Sequence, residues 1–312
     1  MNRRLKISAL YMSILLFSVH ISACEGLPES PATNQAQDTE TQKNETLQIE
    51  TQQQLTMEHL HGSAEKMLGT TLVYSIFASD SVYAWDENSE EDQQTISEIR
   101  SYLKIAGDYL SDAATTYGQK AGFITDFQAN EDLCSFAEIE GDLEDLDSAD
   151  EYAIWDYIES NVNVEKLKEK YLADNVIFFA FMNTDTSTDA VSCTRNWYEG
   201  MEYPYEVVFL YNVDYGCQNP PAVYAHEMLH AFGAPDYYMT DEEYIRTYEQ
   251  QDFVEMNFSN DIMLTCTDME SGQYVYDRIT NDFSELTAYY VGLEAESAAQ
   301  AEAGLGISQH AE

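Results

Sequence analysis

The sequence predicts a layered α/β domain, and three observations support this prediction. Apolar runs of strand length alternate with segments of helical periodicity, in the order strand, long helix, strands, helix, strand, strand, helix. Of the 312 residues, 44% are hydrophobic and 12% are aromatic, which is enough apolar material for one sizeable core or two. Because no internal repeat is present, the elements belong to a layered fold rather than to a repeat array.

The first elements are a buried strand and a long helix. Residues 70–77 (TTLVYSIF) are β-branched and aromatic and contain no breaker, which is typical of a buried strand. Asn88 or Ser89 can cap the helix that follows, and the acidic residues 90–92 suit the positive end of its dipole. Apolar residues then recur at helical spacing over 96–110, so this segment predicts a long amphipathic helix.

Short strands and a second helix are predicted in the middle of the domain. Residues 123–127 and 133–139 have the length and composition of short strands. Helical periodicity over 149–172 predicts a second helix with a lysine-rich end. The continuous apolar runs over 175–182 (NVIFFAFM) and 207–213 (VVFLYNV) predict two further buried strands.

The segment NPPAVYAHEMLHAFGAPDYY, residues 219–238, predicts a helix with a defined start and end. Asn219 can cap this helix, and the prolines at 220–221 fit its first turn, where missing amide donors cost nothing. Gly233 ends it because glycine readily adopts the left-handed conformation, and Pro235 prevents its continuation. The chain therefore turns back after the helix.

This helix carries residues with metal-binding chemistry. His226 and His230 are four residues apart and lie on one face, so both imidazoles can reach one cation. Glu227 projects beside them toward a bound water, and Asp236 follows the turn, where a third ligand could bind. A catalytic zinc ion uses three protein ligands and one water, whose pKa falls to about 7. We therefore expect His226, His230 and Asp236 to bind Zn²⁺ and Glu227 to take the proton of the zinc-bound water.

The pattern His-Glu-x-x-His-x-x-Gly-x-x-Asp over 226–236 resembles that of the metzincin zinc peptidases, in the variant where aspartate replaces the third histidine, as in snapalysin-like enzymes. Residues 260–263 (NDIM) fit the methionine turn of that family, with Met263 beneath the metal. The resemblance implies a zincin domain over 58–295, with a mixed twisted sheet, a long first helix, an active-site helix and a C-terminal helix. It also implies that the edge strand of the sheet binds an extended peptide.

Two positions depart from the family pattern. Histidine is the commoner third ligand, so a downstream glutamate is an alternative to Asp236: Glu242, Glu243 or Glu285. Some metzincins place a tyrosine two residues after the turn methionine, where it helps to hold the oxyanion, and here that position is Thr265. Tyr237 or Tyr238 is the candidate replacement for that tyrosine.

The remaining elements follow the zinc helix in the sequence. Residues 238–259 have helical spacing and many acids, and we interpret them as a lid or cleft wall. A closing helix is expected from Asn281 or Asp282 to Val291. Residues 296–312 are expected to form a flexible tail.

The N-terminus predicts export and membrane anchoring. Residues 1–23 have the order of a secretory signal peptide, in which basic residues precede an apolar run that is shorter than the roughly 20 residues needed to cross a bilayer. Small residues before Cys24 resemble the lipobox of bacterial lipoproteins, which implies cleavage after Ala23 and lipid attachment to Cys24. A plain secretory cleavage that leaves Cys24 free is the alternative. Residues 24–57 are polar and without periodicity, and predict a disordered tether between an extracytoplasmic domain and the membrane.

Composition indicates which partners and which redox state to expect. The chain has 14 Lys and Arg against 57 Asp and Glu, a formal net charge of −43, so nucleic acid is excluded as an expected partner. An even number of cysteines outside the cytoplasm predicts up to two disulfides, for which three pairings exist. The cysteines concerned are Cys134, Cys193, Cys217 and Cys266.

These observations predict a lipid-anchored, extracytoplasmic zinc endopeptidase that acts on a peptide or protein substrate. The alternative is a non-catalytic metal-binding or sensing surface lipoprotein, in which zinc is structural or captured. Glu227 favours the peptidase, since a closed structural zinc site has no use for a general base.

Overall fold

The structure is a computed structural model that describes residues 62–144, 152–198, 201–238 and 244–311. The strands, in chain order, are β1 (Gly69–Ser79), β2 (Ala121–Ile124), β3 (Cys134–Glu138), β4 (Asn175–Met182), β5 (Cys193–Arg195), β6 (Val207–Tyr211), β7 (Val213–Asp214) and β8 (Cys217–Gln218). The α-helices are α1 (Glu90–Thr116), α2 (Ala153–Asn161), α3 (Val164–Tyr171), α4 (Pro221–Ala231), α5 (Tyr248–Asn257), α6 (Glu285–Tyr290) and α7 (Ala298–Ala303). The fold is therefore α/β, as the sequence predicts.

A mixed sheet forms the centre of this fold, with the strand order β2-β1-β4-β6-β5. Strand β3 also pairs with β1, on the same side as β2. The pairs within β1, β2, β3, β4 and β6 are parallel, whereas β5 runs antiparallel to β6 at the edge. All eight residues of β4 are buried, as expected of a central parallel strand covered on both faces.

Helices cover both faces of the sheet. On one face, Tyr224 of α4 packs against Phe181 of β4 and against Tyr102 of α1, with ring centroids 6.1 and 5.7 Å apart. On the other face, Trp155 of α2 packs against Phe209 of β6 at 5.6 Å. The predicted first strand and long first helix are confirmed: Ser89 caps α1 by accepting a hydrogen bond from the Asp92 amide.

The structure corrects several predicted boundaries. The single helix expected over 149–172 is two helices within the described residues, because Val162 leaves the helical conformation and the Asn163 side chain caps α3 by accepting from the Lys166 amide. Residues 149–151 lie outside the described residues. The short strands expected over 123–127 and 133–139 are β2 and β3, which are shifted or shorter by a few residues.

The C-terminal segment is folded, so the expectation of a flexible tail over 296–312 is wrong for the described residues up to 311. Ser297 caps α7, and Leu305 and Ser308 are buried. The side chain of His310 is hydrogen-bonded to the Phe232 carbonyl at 2.8 Å. This segment therefore packs against the end of α4, which carries the predicted zinc ligands.

The predicted disulfides do not form in the described part of the chain, where the four cysteines are thiols: Cys134, Cys193, Cys217 and Cys266. Cys134 begins β3 and Cys193 begins β5, and β1, β4 and β6 lie between these strands. At about 4.8 Å per strand spacing, the two cysteines are roughly 19 Å apart, well beyond the reach of a disulfide.

The predicted signal peptide (1–23), the lipidation site Cys24 and the tether (24–57) lie outside the described residues. Over the ranges that the structure describes, no helix has both the length and the apolar character needed to span a bilayer.

A buried carboxyl group fastens the beginning of the described domain to the sheet. Glu206 precedes β6, and its Oε2 accepts hydrogen bonds from the Ser63 hydroxyl at 2.7 Å and from the Ala64 amide at 2.9 Å. Burial raises the pKa of Glu206 to about 7 from its ordinary 4.5, although these hydrogen bonds lower it. The folded protein therefore holds this proton more tightly than the unfolded chain does.

Glu206→Gln is expected to flatten the pH dependence of stability. Between the unfolded pKa near 4.5 and the folded pKa near 7, the unfolding free energy of the wild type falls as pH rises, because the unfolded chain releases a proton that the folded state still binds. The loss due to this group is on the order of 2–3 kcal/mol. Chemical denaturation at several pH values from 5 to 8 measures it, with the exposed Glu202→Gln as the control. An equal slope in Glu206→Gln and wild type would contradict this assignment.

Candidate metal centre

Helix α4 carries His226 and His230, two of the three predicted ligands, but its start differs from the prediction. Pro220 occupies the N-cap position with no side-chain cap. The predicted cap, Asn219, is buried, and its amide instead donates to Ser192 Oγ, the Tyr211 carbonyl and Asp214 Oδ2 at 2.8–2.9 Å. The prediction of Asn219 as the cap is wrong because these contacts occupy its side chain.

The predicted end of the helix is confirmed. Gly233 has a φ of +91°, and its amide donates to the His230 carbonyl at 2.8 Å. A Cβ atom at this glycine would lie 2.3 Å from Nε2 of the exposed and movable Gln309 side chain, so it is the backbone conformation that requires glycine. The turn reverses the chain and carries Asp236 back to the two histidines.

Three donor atoms converge at this point. The Nε2 atoms of His226 and His230 are 3.0 Å apart, and Oδ1 of Asp236 lies 3.2 Å from the first and 3.4 Å from the second. Nitrogen and oxygen ligands at zinc bond lengths of about 2.0–2.1 Å and tetrahedral angles are about 3.3 Å apart. The spacing of these three atoms therefore fits one face of a tetrahedral zinc site.

Hydrogen bonds on the far side of each ring fix which nitrogen is free to bind a metal. Nδ1 of His226 lies 2.9 Å from the Ile262 carbonyl, and Nδ1 of His230 lies 2.7 Å from the Ala234 carbonyl. A carbonyl oxygen only accepts, so both Nδ1 atoms carry the proton and donate it, as is usual for metal-binding histidines. In the neutral rings, both Nε2 atoms therefore present lone pairs toward Asp236. Its Oδ1 is buried and has no hydrogen-bond partner in the described part of the chain.

The electrostatic environment favours a positive charge here. Burial disfavours the charged form of His226, but nearby Cys266 and Asp236 raise its pKa well above the ordinary value. Burial likewise opposes the ionised form of Asp236, yet His226 and His230 hold its pKa well below the usual range. A cation placed among these groups, whether a proton or a metal ion, is thus stabilised.

The predicted methionine turn contacts His226 and the segment that follows Asp236. The amide of Leu264 donates to the Asp261 carbonyl, and the buried Met263 accepts a hydrogen bond from the Tyr237 amide through its carbonyl oxygen at 3.0 Å. The neighbouring Ile262 supplies the carbonyl that orients His226. The turn therefore supports both His226 and the segment that carries Asp236.

A cleft of about 310 Å³ opens beside the three donors. Its lining includes His226, Glu227, His230 and Asp236, together with residues of β5 and of the C-terminal segment. The carboxylate of Glu227 lies within 4.8 Å of both histidine donor atoms, but its Oε2 is hydrogen-bonded to Thr194 at 2.8 Å. Glu227 and the two histidines therefore also form a group that could hold a metal ion, with one carboxylate oxygen of Glu227 held by Thr194.

The structure shows where some of the alternative residues left open by the sequence lie. Glu285 accepts a hydrogen bond from the Ala299 amide and does not line the cleft that contains the two histidines and Asp236. The hydroxyl of Tyr237 is buried against Thr287, whereas Tyr238 lines the cleft, where burial and Asp236 raise its pKa. Glu242 and Glu243 lie outside the described residues.

Sequence reasoning did not identify two further groups that line the cleft. Thr194 and Gln309 both face it, from β5 and from the C-terminal segment. Neither stands in a motif, and Gln309 belongs to the segment expected to be flexible. Long-range packing alone places them near the histidines, so the sequence offered no signal for either.

No protein-family model matches the sequence, and no curated protein matches it.

Proposed function

We propose that the protein is an extracytoplasmic, lipid-anchored zinc endopeptidase. The observation that carries the proposal is the convergence of Nε2 of His226, Nε2 of His230 and Oδ1 of Asp236 within 3.0–3.4 Å, with Glu227 beside them at an open cleft. Three protein ligands and an accessible side are characteristic of catalytic rather than structural zinc sites.

Zinc bound by these three residues would polarise a peptide carbonyl and lower the pKa of a water to about 7. The protein itself supplies the proton transfer. Glu227 is buried, with 4% of its surface exposed, and a carboxylate in that position can accept a proton from the attacking water. The same carboxyl group can then return the proton to the leaving amine, which completes hydrolysis of the peptide bond.

The metzincin resemblance supports a specific position for the substrate. Strand β5 is the antiparallel edge of the sheet, and its residues 193–194 line the cleft. The edge of a sheet can pair with an extended peptide through main-chain hydrogen bonds. We therefore place the substrate along β5, with its cleaved bond beside Glu227 and the metal ligands. Tyr238, which lines the same cleft, is the candidate donor to the developing oxyanion.

One observation favours the alternative of a metal-binding or sensing lipoprotein that cuts no bond. Thr265 stands where some metzincins carry the oxyanion tyrosine, and its hydroxyl contacts Thr267 at 3.0 Å rather than the cleft. In this alternative the metal is held by four protein ligands, and Glu227 has no catalytic role.

Cleavage profiling on an unbiased peptide library, with a zinc assay of the same sample, tests the proposal. We expect one zinc per chain and internal cleavage of peptides, both removed by a chelator and restored by zinc. A zinc-loaded protein that leaves the whole library intact would support the alternative.

A further inference from the structure

We infer that Thr194 of β5 is a positioning residue that holds the Glu227 carboxylate in place for proton transfer. This inference rests on the proposed function, because it assigns a role within the same reaction. It connects the edge strand, where the substrate is placed, with the helix that carries the general base.

The contact involves two atoms of Glu227. Oγ1 of Thr194 lies 2.8 Å from Oε2 of the carboxylate and 2.9 Å from the carbonyl oxygen of the same residue. One hydroxyl is thus bracketed by the side chain and the backbone of Glu227. This arrangement fixes the carboxylate relative to α4 and, at the same time, fixes α4 relative to β5.

The hydroxyl of threonine has a single proton to donate. An ionised carboxylate is a stronger acceptor than a carbonyl, so the proton is drawn mainly toward Oε2. Among the residues that the structure describes, Thr194 is the one hydrogen-bond donor to this carboxylate. Without this hydrogen bond, no polar contact among the described residues would hold the acceptor oxygen of Glu227 in one position.

Thr194 is itself held firmly. It is the central residue of β5 and pairs with Val208 in β6, and its β-branched side chain has few χ1 rotamers. A reacting group is placed most reproducibly when it is held between regular elements rather than loops. Misplacement of a catalytic group by about 1 Å can cost about 100-fold in rate, which gives such a contact a large kinetic effect.

Two substitutions separate the hydroxyl from the rest of the side chain. Thr194→Val keeps the branched shape and the strand propensity but removes the donor, whereas Thr194→Ser keeps the donor and removes a methyl group. We expect Thr194→Val to lower kcat by about 10- to 100-fold, with zinc content unchanged and with KM altered by less than about threefold. Thr194→Ser is expected to retain kcat within about threefold of wild type.

A second readout does not depend on activity. The melting temperatures of metal-free Thr194→Val and Thr194→Ser are compared in the wild-type background and in the Glu227→Ala background. Loss of a hydrogen bond to a charged group lowers Tm by about 3–6 °C in a domain of this size, so Thr194→Val should melt lower than Thr194→Ser by about that amount. This difference should shrink by at least about 2 °C in the Glu227→Ala background, because the carboxylate is then absent.

The outcomes distinguish this inference from the proposed function. If Thr194→Val cleaves peptides as fast as Thr194→Ser, or if their Tm difference is the same in both backgrounds, Thr194 does not act through Glu227 and the inference is overturned. If the zinc-loaded wild type cleaves no peptide, the proposed function itself fails, and with it any catalytic purpose of the Thr194 contact. The Tm comparison then shows whether the contact itself exists.

Discussion

Glu227→Gln is expected to lower kcat for peptide cleavage by about 10²- to 10⁴-fold, the usual contribution of a general acid-base residue. Glutamine has nearly the same shape and can still accept the hydrogen bond from Thr194 through its amide oxygen. It cannot take a proton from water at neutral pH. Zinc content is expected to remain that of the wild type, because Oε2 of Glu227 is engaged by Thr194 and Glu227 stands beside the three metal donors.

Cleavage rates and zinc content measured on the same preparations test this expectation. Glu202→Gln is the matched control, since it makes the same chemical change at an exposed position before β6 and is expected to leave both quantities unchanged. A Glu227→Gln protein with zinc bound and near-wild-type cleavage would exclude Glu227 as the general base. Loss of zinc together with activity would instead mean that Glu227 is a ligand.

Removal of a ligand should have a different signature from removal of the base. His226→Ala and Asp236→Ala are each expected to weaken zinc binding by more than about 100-fold, since loss of even an outer-shell partner of a zinc ligand costs about 10- to 100-fold. Cleavage should fall with zinc occupancy. Added zinc should also no longer raise the melting temperature of these variants, because zinc that does not bind the folded protein does not stabilise it.

Competition titration against a zinc-binding indicator measures the affinities. His310→Ala is the control, because His310 is hydrogen-bonded to the Phe232 carbonyl and is not one of the converging donors. Wild-type affinity in Asp236→Ala would rule out Asp236 as the third ligand and would return Glu242 or Glu243 to consideration. Equal losses of affinity in His310→Ala and His226→Ala would indicate a general loss of the fold rather than loss of a ligand.

Local sequence patterns were sufficient to predict the structure wherever a segment determines its own conformation. The apolar runs of β1 and β4, the Ser89 cap and the Gly233 helix end all follow from residues within a few positions of one another. The same holds for His226, Glu227 and His230, since their spacing on a helix determines which side chains share a face. The prediction for Asp236 also depended on the turn at Gly233, and the structure places the Asp236 carboxylate with the two histidines.

The incorrect predictions concern contacts between distant segments. Asn219 has the sequence features of a helix cap, but its amide is occupied by groups from other parts of the chain, including Ser192. The composition of the C-terminal segment is typical of a loose tail, yet Leu305 is buried and Gln309 lines the cleft. The pairing of cysteines depends on distances across the sheet, which spacing in the sequence does not encode. The role of Thr194 could not be predicted from the sequence for the same reason, because it depends on the position of β5 beside α4.

The coordination of bound zinc is the most direct test of the central claim, which is that His226, His230 and Asp236 hold zinc with one side open. X-ray absorption spectroscopy on the wild-type protein loaded with one zinc ion measures it. We predict two imidazole nitrogens, one carboxylate oxygen and one exchangeable oxygen, with no sulfur in the shell despite the nearby Cys266. A shell closed by four protein ligands, a zinc-sulfur bond, or a purified protein that binds no zinc would contradict it.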